Sequence, residues 1–160
     1  MITEEKALSS LADLCSKGER CTGDLDEKMR KWGLEDNVRQ RVLDYLTSHH
    51  FVDDERFCRA YVNDKVRYNK WGRRKIEQAL WVRHIPEEIS RPILDDVPDE
   101  DYLVNLRPIL HAKWPTIKAK SDYERSMKLI KFAMGRGFDL RLIHQCINKM
   151  DATEEMEDEG

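Results

Sequence analysis

The feature that most constrains this chain is a degenerate internal repeat. When Gly33, His84 and Gly137 are placed in register, the offsets between them are 51 and 53 residues. Apolar residues then stand eight and four positions before each anchor, and one, five and ten positions after it: Leu25, Ile76, Leu129, Met29, Leu80, Ala133, Leu34, Ile85, Phe138, Val38, Ile89, Leu142, Leu43, Leu94 and Ile147. Because 40% of residues are apolar, this agreement is not expected by chance. It indicates a repeat protein.

The repeat predicts helices. Apolar positions four residues apart lie one helical turn apart on one face. The chain is 37% charged, holds only 7 Gly and 5 Pro, and lacks the Val, Ile and Thr runs of strands. We predict an all-α fold of three tandem three-helix repeats, at residues 1–50, 51–97 and 98–150. Since such repeats bury their apolar faces mainly on their neighbours, we expect an elongated, curved array.

Local signals place several helix ends. Asp53 is a predicted N-cap for the opening helix of the second repeat. Ser121 and Glu124 have the spacing of a capping box, in which each side chain binds the other residue's backbone N–H. Pro92 predicts a short or kinked helix. The middle helices of the first and second repeats are predicted near residues 25–32 and 73–83.

The charge is unevenly distributed along the chain. The net charge is −3, with 28 bases and 31 acids. Residues 151–160 hold six of those acids and no base, so the rest of the chain carries about +3. We predict that this acidic tail is disordered, because it offers little apolar surface to bury. It either screens a basic surface of the same chain or acts only as a solubilising tail, and the second role is favoured.

Several classes of protein are excluded by what the sequence lacks. No stretch approaches the roughly 18 apolar residues of a membrane span, and the N-terminus does not have the order of a signal peptide. The four cysteines lack the Cys-x-x-Cys pair of a redox or zinc site, which fits a reducing compartment: they are Cys15, Cys21, Cys58 and Cys146. We therefore predict a cytoplasmic protein.

No catalytic, metal or cofactor site is predicted. The five histidines show no metal-ligand spacing. The carboxylate pairs at residues 53–54 and 95–96 stand at predicted helix ends, where capping is the simpler role. The segment Gly135-Arg136-Gly137 lacks the further glycine and the preceding strand of a dinucleotide loop, and indicates a helix stop. A non-enzymatic protein is expected.

The strongest candidate for a binding site is the basic window from Lys65 to His84. It holds a single acid, Glu77, interleaved aromatic residues Tyr68 and Trp71, and seven bases: Lys65, Arg67, Lys70, Arg73, Arg74, Lys75 and Arg83. Three of these bases cluster at the predicted start of a helix, where backbone N–H groups also favour anions. The window predicts a site for DNA phosphates or an acidic protein surface. A solvated face that binds nothing and a charge network within the repeat are the alternatives.

A weaker basic patch is predicted in the third repeat, from Lys128, Lys131, Arg136 and Arg141. Lys128 and Lys131 are three residues apart and therefore neighbours on a helix. A solvated face is the favoured interpretation here.

Three segments resemble motifs of the RecX family, whose members are tandem three-helix repeats. They are residues 51–62 (FVDDERFCRAYV), 70–80 (KWGRRKIEQAL) and 128–138 (KLIKFAMGRGF). The resemblance covers roughly residues 4–150. Cys58 replaces the usual Ala, Ala133 the usual Leu, and His84 stands where Gly commonly ends the middle helix.

The resemblance implies a regulatory protein that binds the RecA–single-stranded DNA filament. Such a protein would span neighbouring protomers and modulate recombinase and ATPase activity, with inhibition expected, in DNA repair and the SOS response. The implied partners are the RecA filament and, weakly, single- or double-stranded DNA; no membrane is implied, and a monomer is expected. The alternative is a sequence-tolerant DNA-binding helical module that acts without RecA.

Overall fold

The structure, a computed structural model, describes the backbone of residues 2–159 and the side chains of residues 2–149. Within these residues the chain forms nine α-helices, one 3₁₀ turn at Trp114–Thr116 and no strand. The helices are α1 (Glu4–Lys17), α2 (Thr22–Lys31), α3 (Asp36–Ser48), α4 (Asp54–Arg67), α5 (Arg73–Val82), α6 (Glu87–Asp95), α7 (Asp99–Lys113), α8 (Asp122–Gly135) and α9 (Leu140–Glu159). The predicted all-α fold of tandem three-helix repeats is confirmed.

The three anchor residues share one backbone conformation. Gly33, His84 and Gly137 follow the middle helix of their repeats and have φ of +81°, +61° and +92°. This left-handed conformation ends a helix. None of the fifteen apolar positions aligned on these anchors is exposed, so the register is confirmed. His84 adopts this conformation although it has a Cβ, which costs about 1 kcal/mol compared with glycine.

The predicted helix caps are confirmed in part. Asp53 Oδ1 accepts a hydrogen bond from Arg56 N at 3.1 Å. Ser121 Oγ accepts from Glu124 N at 3.1 Å. The return bond of the capping box is displaced by one residue, because Glu124 Oε2 accepts from Lys120 N at 3.0 Å.

The helix α2 begins at Thr22, three residues before its predicted start. Asp54, 32 residues further along the chain, accepts hydrogen bonds from Thr22 N at 2.8 Å and from Thr22 Oγ1 at 2.6 Å. The cap therefore comes from the next repeat and leaves no local signal in the sequence. The helix α6, which contains Pro92, has only nine residues, so the prediction of a short helix is confirmed.

The chain divides into two compact units. The first consists of Met1–Tyr61 and Ala79–Ile93, in which α1 and α2 pack on α3. Its main buried cluster is Leu11, Leu25, Met29, Val42, Leu46 and Val52. The second repeat contributes to this unit with the first half of α4, the end of α5 and most of α6.

The second unit consists of Val62–Gln78 and Leu94–Gly160. The helices α7, α8 and α9 pack on one another around a core that includes Leu103, Leu106, Leu110, Leu129, Phe138, Leu142 and Ile143. The second repeat is thus divided between the two units. A repeat that buries its faces on its neighbours is not expected to form a compact unit alone.

The acidic tail falls at the end of α9. The backbone of residues 151–159 is helical, where the sequence analysis predicts disorder. Extending an existing helix avoids the cost of nucleation, and Ala, Glu and Met are good helix formers. The side chains of residues 150–160 lie outside the described part of the structure, so the role of the tail stays a prediction.

Across the described residues, no helix combines the length and the apolar character that crossing a membrane requires.

Candidate functional site

Trp71, in the loop between α4 and α5, holds two lysines close together. Lys65 Nζ lies 4.7 Å and Lys75 Nζ 4.6 Å from the centroid of the Trp71 ring. The loop is closed by a hydrogen bond from Trp71 N to Lys65 O at 3.0 Å. The electron-rich face of the indole attracts both ammonium groups, so the ring concentrates positive charge at this loop.

Three further cations surround this loop. The side chains of Arg67, Lys70 and Arg74 are exposed, and none has an ion-pair or hydrogen-bond partner among the residues whose side chains are described. Exposed cations that form no ion pair are available to bind anions. The structure therefore brings together five of the seven bases that the sequence analysis singled out in this window.

Arg73, by contrast, is engaged within the protein. Its Nε lies 2.7 Å from Glu77 Oε1, and its Nη2 lies 2.7 Å from Asp95 Oδ1. Its side chain is only 27% exposed. Nε and Nη2 of its guanidinium thus connect α5 to the end of α6, and the binding of Arg73 to an external partner stays a prediction.

Arg83 is also engaged, and it lies in the first compact unit. Its Nε is 3.5 Å from Asp24 Oδ2, and its guanidinium lies 4.9 Å from the centroid of the Tyr61 ring. These contacts connect the end of α5 to α2 and α4, and a binding role for Arg83 stays a prediction.

We expect Arg73→Ala to lower the free energy of unfolding by about 1 kcal/mol, since it removes two ion pairs whose carboxylates are about half exposed. Arg74→Ala, the matched control on the adjacent residue, should change stability by less than about 0.5 kcal/mol. Urea unfolding followed by circular dichroism measures both. Equal stability of the two variants would contradict the structural role given to Arg73.

The N-terminus of α5 is occupied by a neighbouring turn. Gly72 N donates to Arg136 O at 3.0 Å, and Arg74 N donates to Gly137 O at 2.9 Å. The prediction that these backbone N–H groups attract an external anion is therefore wrong at both residues. The carbonyl groups of the turn between α8 and α9 fill that position instead.

Two glycines make this contact possible. A Cβ on Gly72 would lie 2.2 Å from the backbone C of Gly137, and a Cβ on Gly137 would lie 2.4 Å from Lys75 Cβ. Both distances are too short for any other residue. The contact brings Arg136 of the third repeat to the basic loop of the second. We define the basic surface as Lys65, Arg67, Lys70, Arg74, Lys75 and Arg136.

A second aromatic ring with two cations lies next to this turn. The Arg136 guanidinium is 5.0 Å, and Lys113 Nζ 4.7 Å, from the centroid of the Phe132 ring. From Lys113 to Arg136 the chain holds two acids, Asp122 and Glu124, and seven bases. Four of these bases were not predicted as site residues, although a count of charge over this window identifies them: Lys113, Lys118, Lys120 and Arg125.

The other members of the weaker patch divide into two groups. Lys131 is exposed and has no ion-pair or hydrogen-bond partner among the described side chains. Lys128 Nζ binds Lys118 O at 2.7 Å. Arg141 forms two hydrogen bonds with Asp99, at 2.9 and 3.0 Å, which hold the pKa of Asp99 below its ordinary value. Arg141 is therefore engaged in a surface ion pair with Asp99, and its binding role stays a prediction.

An exposed apolar stripe runs along α8, in the same compact unit. Tyr123, Met127 and Met134 are 76%, 48% and 39% exposed. Their spacing of four and seven residues places them on one face of the helix, away from the face that buries Leu129 and Ala133. We call Tyr123, Met127 and Met134 the α8 stripe. The sequence analysis did not separate these residues from the core positions of the same helix.

The cysteines show no sign of nucleophilic chemistry. Burial raises the pKa of Cys21 to about 12 and the pKa of Cys58 to about 11. Both thiols therefore stay protonated at neutral pH, whereas the thiolate is the reactive form. Within the part of the chain that the structure describes, no group of three or more His, Cys, Asp or Glu side chains is placed to hold a metal ion.

The fold and the site define a class: a tandem three-helix repeat protein that presents a surface of cations and aromatic rings. Family models for the second and third three-helix domains of RecX match residues 53–91 and 99–147, more than half of the chain. The chain belongs to the RecX family.

Individual relatives agree with this assignment. The chain is 29% identical to the regulatory protein RecX of Chlorobium limicola over 132 residues, which cover 81% of this chain and 80% of the relative. It is 26% identical to that of Clostridium perfringens over 136 residues, or 84% of this chain, and spans 63% of the relative's length. The crystal structure of RecX from Lactobacillus salivarius superposes with a TM-score of 0.82 at 15% identity, covering 93% of this chain and 97% of that one. These relatives are named regulatory proteins, which supports a regulatory role.

Proposed function

We propose that this protein binds the RecA–single-stranded DNA filament and lowers its recombinase and ATPase activity. The observation that carries the proposal is the basic surface, whose exposed Arg67, Lys70 and Arg74 have no acidic partner among the described side chains. Membership of a family of regulatory proteins supports a binding role rather than a catalytic one.

The basic surface is suited to phosphate groups. Lysine and arginine side chains that contact phosphates displace condensed counterions, which gives affinity without sequence preference. A filament that contains single-stranded DNA offers such phosphates at regular intervals. The cations held near Trp71 and Phe132 are fixed by the rings, so less side-chain entropy is lost when an anion binds.

The α8 stripe is suited to a protein surface. Contiguous exposed apolar residues mark protein–protein contacts, and methionine adapts to irregular surfaces because it is flexible and polarisable. We propose that this stripe contacts a RecA protomer while the basic surface contacts DNA. Two linked contacts raise the affinity for the filament above that for either component, through effective concentration.

The proposal places the protein in the cytoplasm as a monomer, acting in DNA repair and the SOS response. The raised pKa of the buried thiols fits a reducing compartment, because none of them is prepared to form a disulfide. The repeat needs no second chain to complete its helices.

The alternative function is a sequence-tolerant DNA-binding module that acts without RecA. The basic surface favours it as well, since phosphate binding needs no protein partner. The α8 stripe distinguishes the two functions, because a DNA-binding module has no use for exposed methionines.

Met127→Glu is expected to weaken binding to RecA–single-stranded DNA filaments by about tenfold or more, since a charge in an apolar interface loses a buried contact. Co-sedimentation with filaments assembled on circular single-stranded DNA measures the binding. Val82→Glu, at a residue that is 61% exposed in the first unit, is the matched control and should bind as wild type. If Met127→Glu binds filaments normally, the stripe is not the protein contact.

A further inference from the structure

We propose that Tyr68 is a base-stacking residue, so that the basic surface selects single-stranded over double-stranded nucleic acid. The inference rests on the DNA contact of the proposed function and names the form of nucleic acid that the site takes. It also adds a residue that acts through its ring and not through charge.

Tyr68 lies directly after α4, between two of the unpaired cations. Its side chain is 74% exposed, and its backbone is fixed by a hydrogen bond from Tyr68 N to Asp64 O at 2.9 Å. Among the described residues the Tyr68 side chain has no ring contact, ion pair or hydrogen bond. An aromatic side chain normally contributes by covering apolar surface, and this one, which is about three quarters exposed, covers little of its own protein.

Trp71, three residues further on, cannot perform this role. Lys65 and Lys75 both lie over its ring, so the indole serves to hold charge. Phe132 is used in the same way by Lys113 and Arg136. Tyr68 is therefore the aromatic ring of the basic surface that remains available for an external planar group.

The neighbours of Tyr68 indicate what that group is. Arg67 precedes the ring directly and Lys70 follows two residues later, both exposed and unpaired among the described side chains. A free ring between phosphate-binding cations is the arrangement that proteins use for single strands, in which the bases stack on aromatic side chains while cations follow the backbone. In a duplex the bases are already stacked on each other and their faces are not accessible. A site that uses the Tyr68 ring in this way should therefore bind single strands more tightly than duplexes.

The test is fluorescence anisotropy of the full chain with three labelled probes: single-stranded oligo(dT), an abasic strand of the same length, and a duplex. Tyr68→Ala should weaken binding to oligo(dT) by about tenfold or more and leave the abasic strand and the duplex unchanged. Tyr68→Phe, which keeps the ring, should bind oligo(dT) as wild type. The dependence of oligo(dT) binding on salt should stay the same in Tyr68→Ala, because no phosphate contact is removed.

Trp81→Ala is the matched control: Trp81 is exposed to nearly the same degree, 75%, and lies in the first unit, so this variant should bind all three probes normally. The stacking role would be overturned if Tyr68→Ala lost affinity equally for all three probes, or lost affinity for none of them. The DNA contact of the proposed function would still stand in either case. If wild type binds none of the probes, that DNA contact fails together with the inference.

Discussion

Replacing Gly137 with alanine is expected to lower the free energy of unfolding by about 3 kcal/mol, from about 1–2 kcal/mol of left-handed strain and about 1–3 kcal/mol of overpacking. Gly137 has a φ of +92°, and a Cβ there would lie 2.4 Å from Lys75 Cβ and 2.6 Å from Lys75 N. The turn must move away from α5, which breaks the hydrogen bond from Arg74 N to Gly137 O. Urea unfolding followed by circular dichroism measures the loss.

Gly135→Ala is the matched control, two residues away on the same turn. A Cβ on Gly135 meets nothing within 4 Å, and Gly135 is the last residue of α8. Alanine there should be neutral or raise the stability by up to about 0.5–1 kcal/mol, because it favours the helix. A Gly137→Ala variant as stable as Gly135→Ala would show that the backbones of the two repeats are not in the described contact.

The double variant Lys70→Glu/Arg74→Glu is expected to weaken binding to single-stranded DNA by about 100-fold at low salt. Both side chains are exposed and have no partner among the described residues, so their replacement should leave the fold intact. Two lost phosphate contacts should also make the log–log slope of affinity against salt shallower by about 1.4. Fluorescence anisotropy over a range of salt concentrations measures both effects.

Lys28→Glu/Lys31→Glu makes the same change in net charge on α2, where both lysines are exposed. If affinity depends on the basic surface, this control should keep most of it, because neither lysine belongs to that surface. Equal losses in the two double variants would mean that total charge, and not the basic surface, determines DNA binding.

The repeat could be predicted from the sequence because helix packing depends on a local period. Apolar side chains must return every three to four residues to face a neighbouring helix, and the left-handed turn after each middle helix favours glycine. The same positions therefore carry the same residue types in all three repeats. His84 occupies one of these turns without glycine and still has a φ of +61°, and the turn is closed by hydrogen bonds from His84 N to Trp81 O and from Ile85 N to Leu80 O.

The site could be predicted only in part, because ion pairs depend on contacts between distant residues. A charge count located the cations, but Arg73 pairs with Asp95, 22 residues away, and Arg141 with Asp99, 42 residues away. The contact of Gly72 with Gly137 likewise joins two repeats, and neither glycine has a local signal that names the other. Which cations are available therefore becomes known only when the helices are packed.

The most direct test of the basic surface as the regulatory site is RecA-catalysed, single-stranded-DNA-dependent ATP hydrolysis, measured with increasing amounts of this protein. We expect wild type to lower ATP turnover at substoichiometric ratios to RecA, and Lys70→Glu/Arg74→Glu to need about tenfold more protein for the same effect, because part of the binding comes from the α8 stripe. Two results would contradict a regulatory role for the basic surface. In the first, wild type leaves ATP turnover unchanged at every ratio. In the second, the double variant lowers ATP turnover as strongly as wild type does.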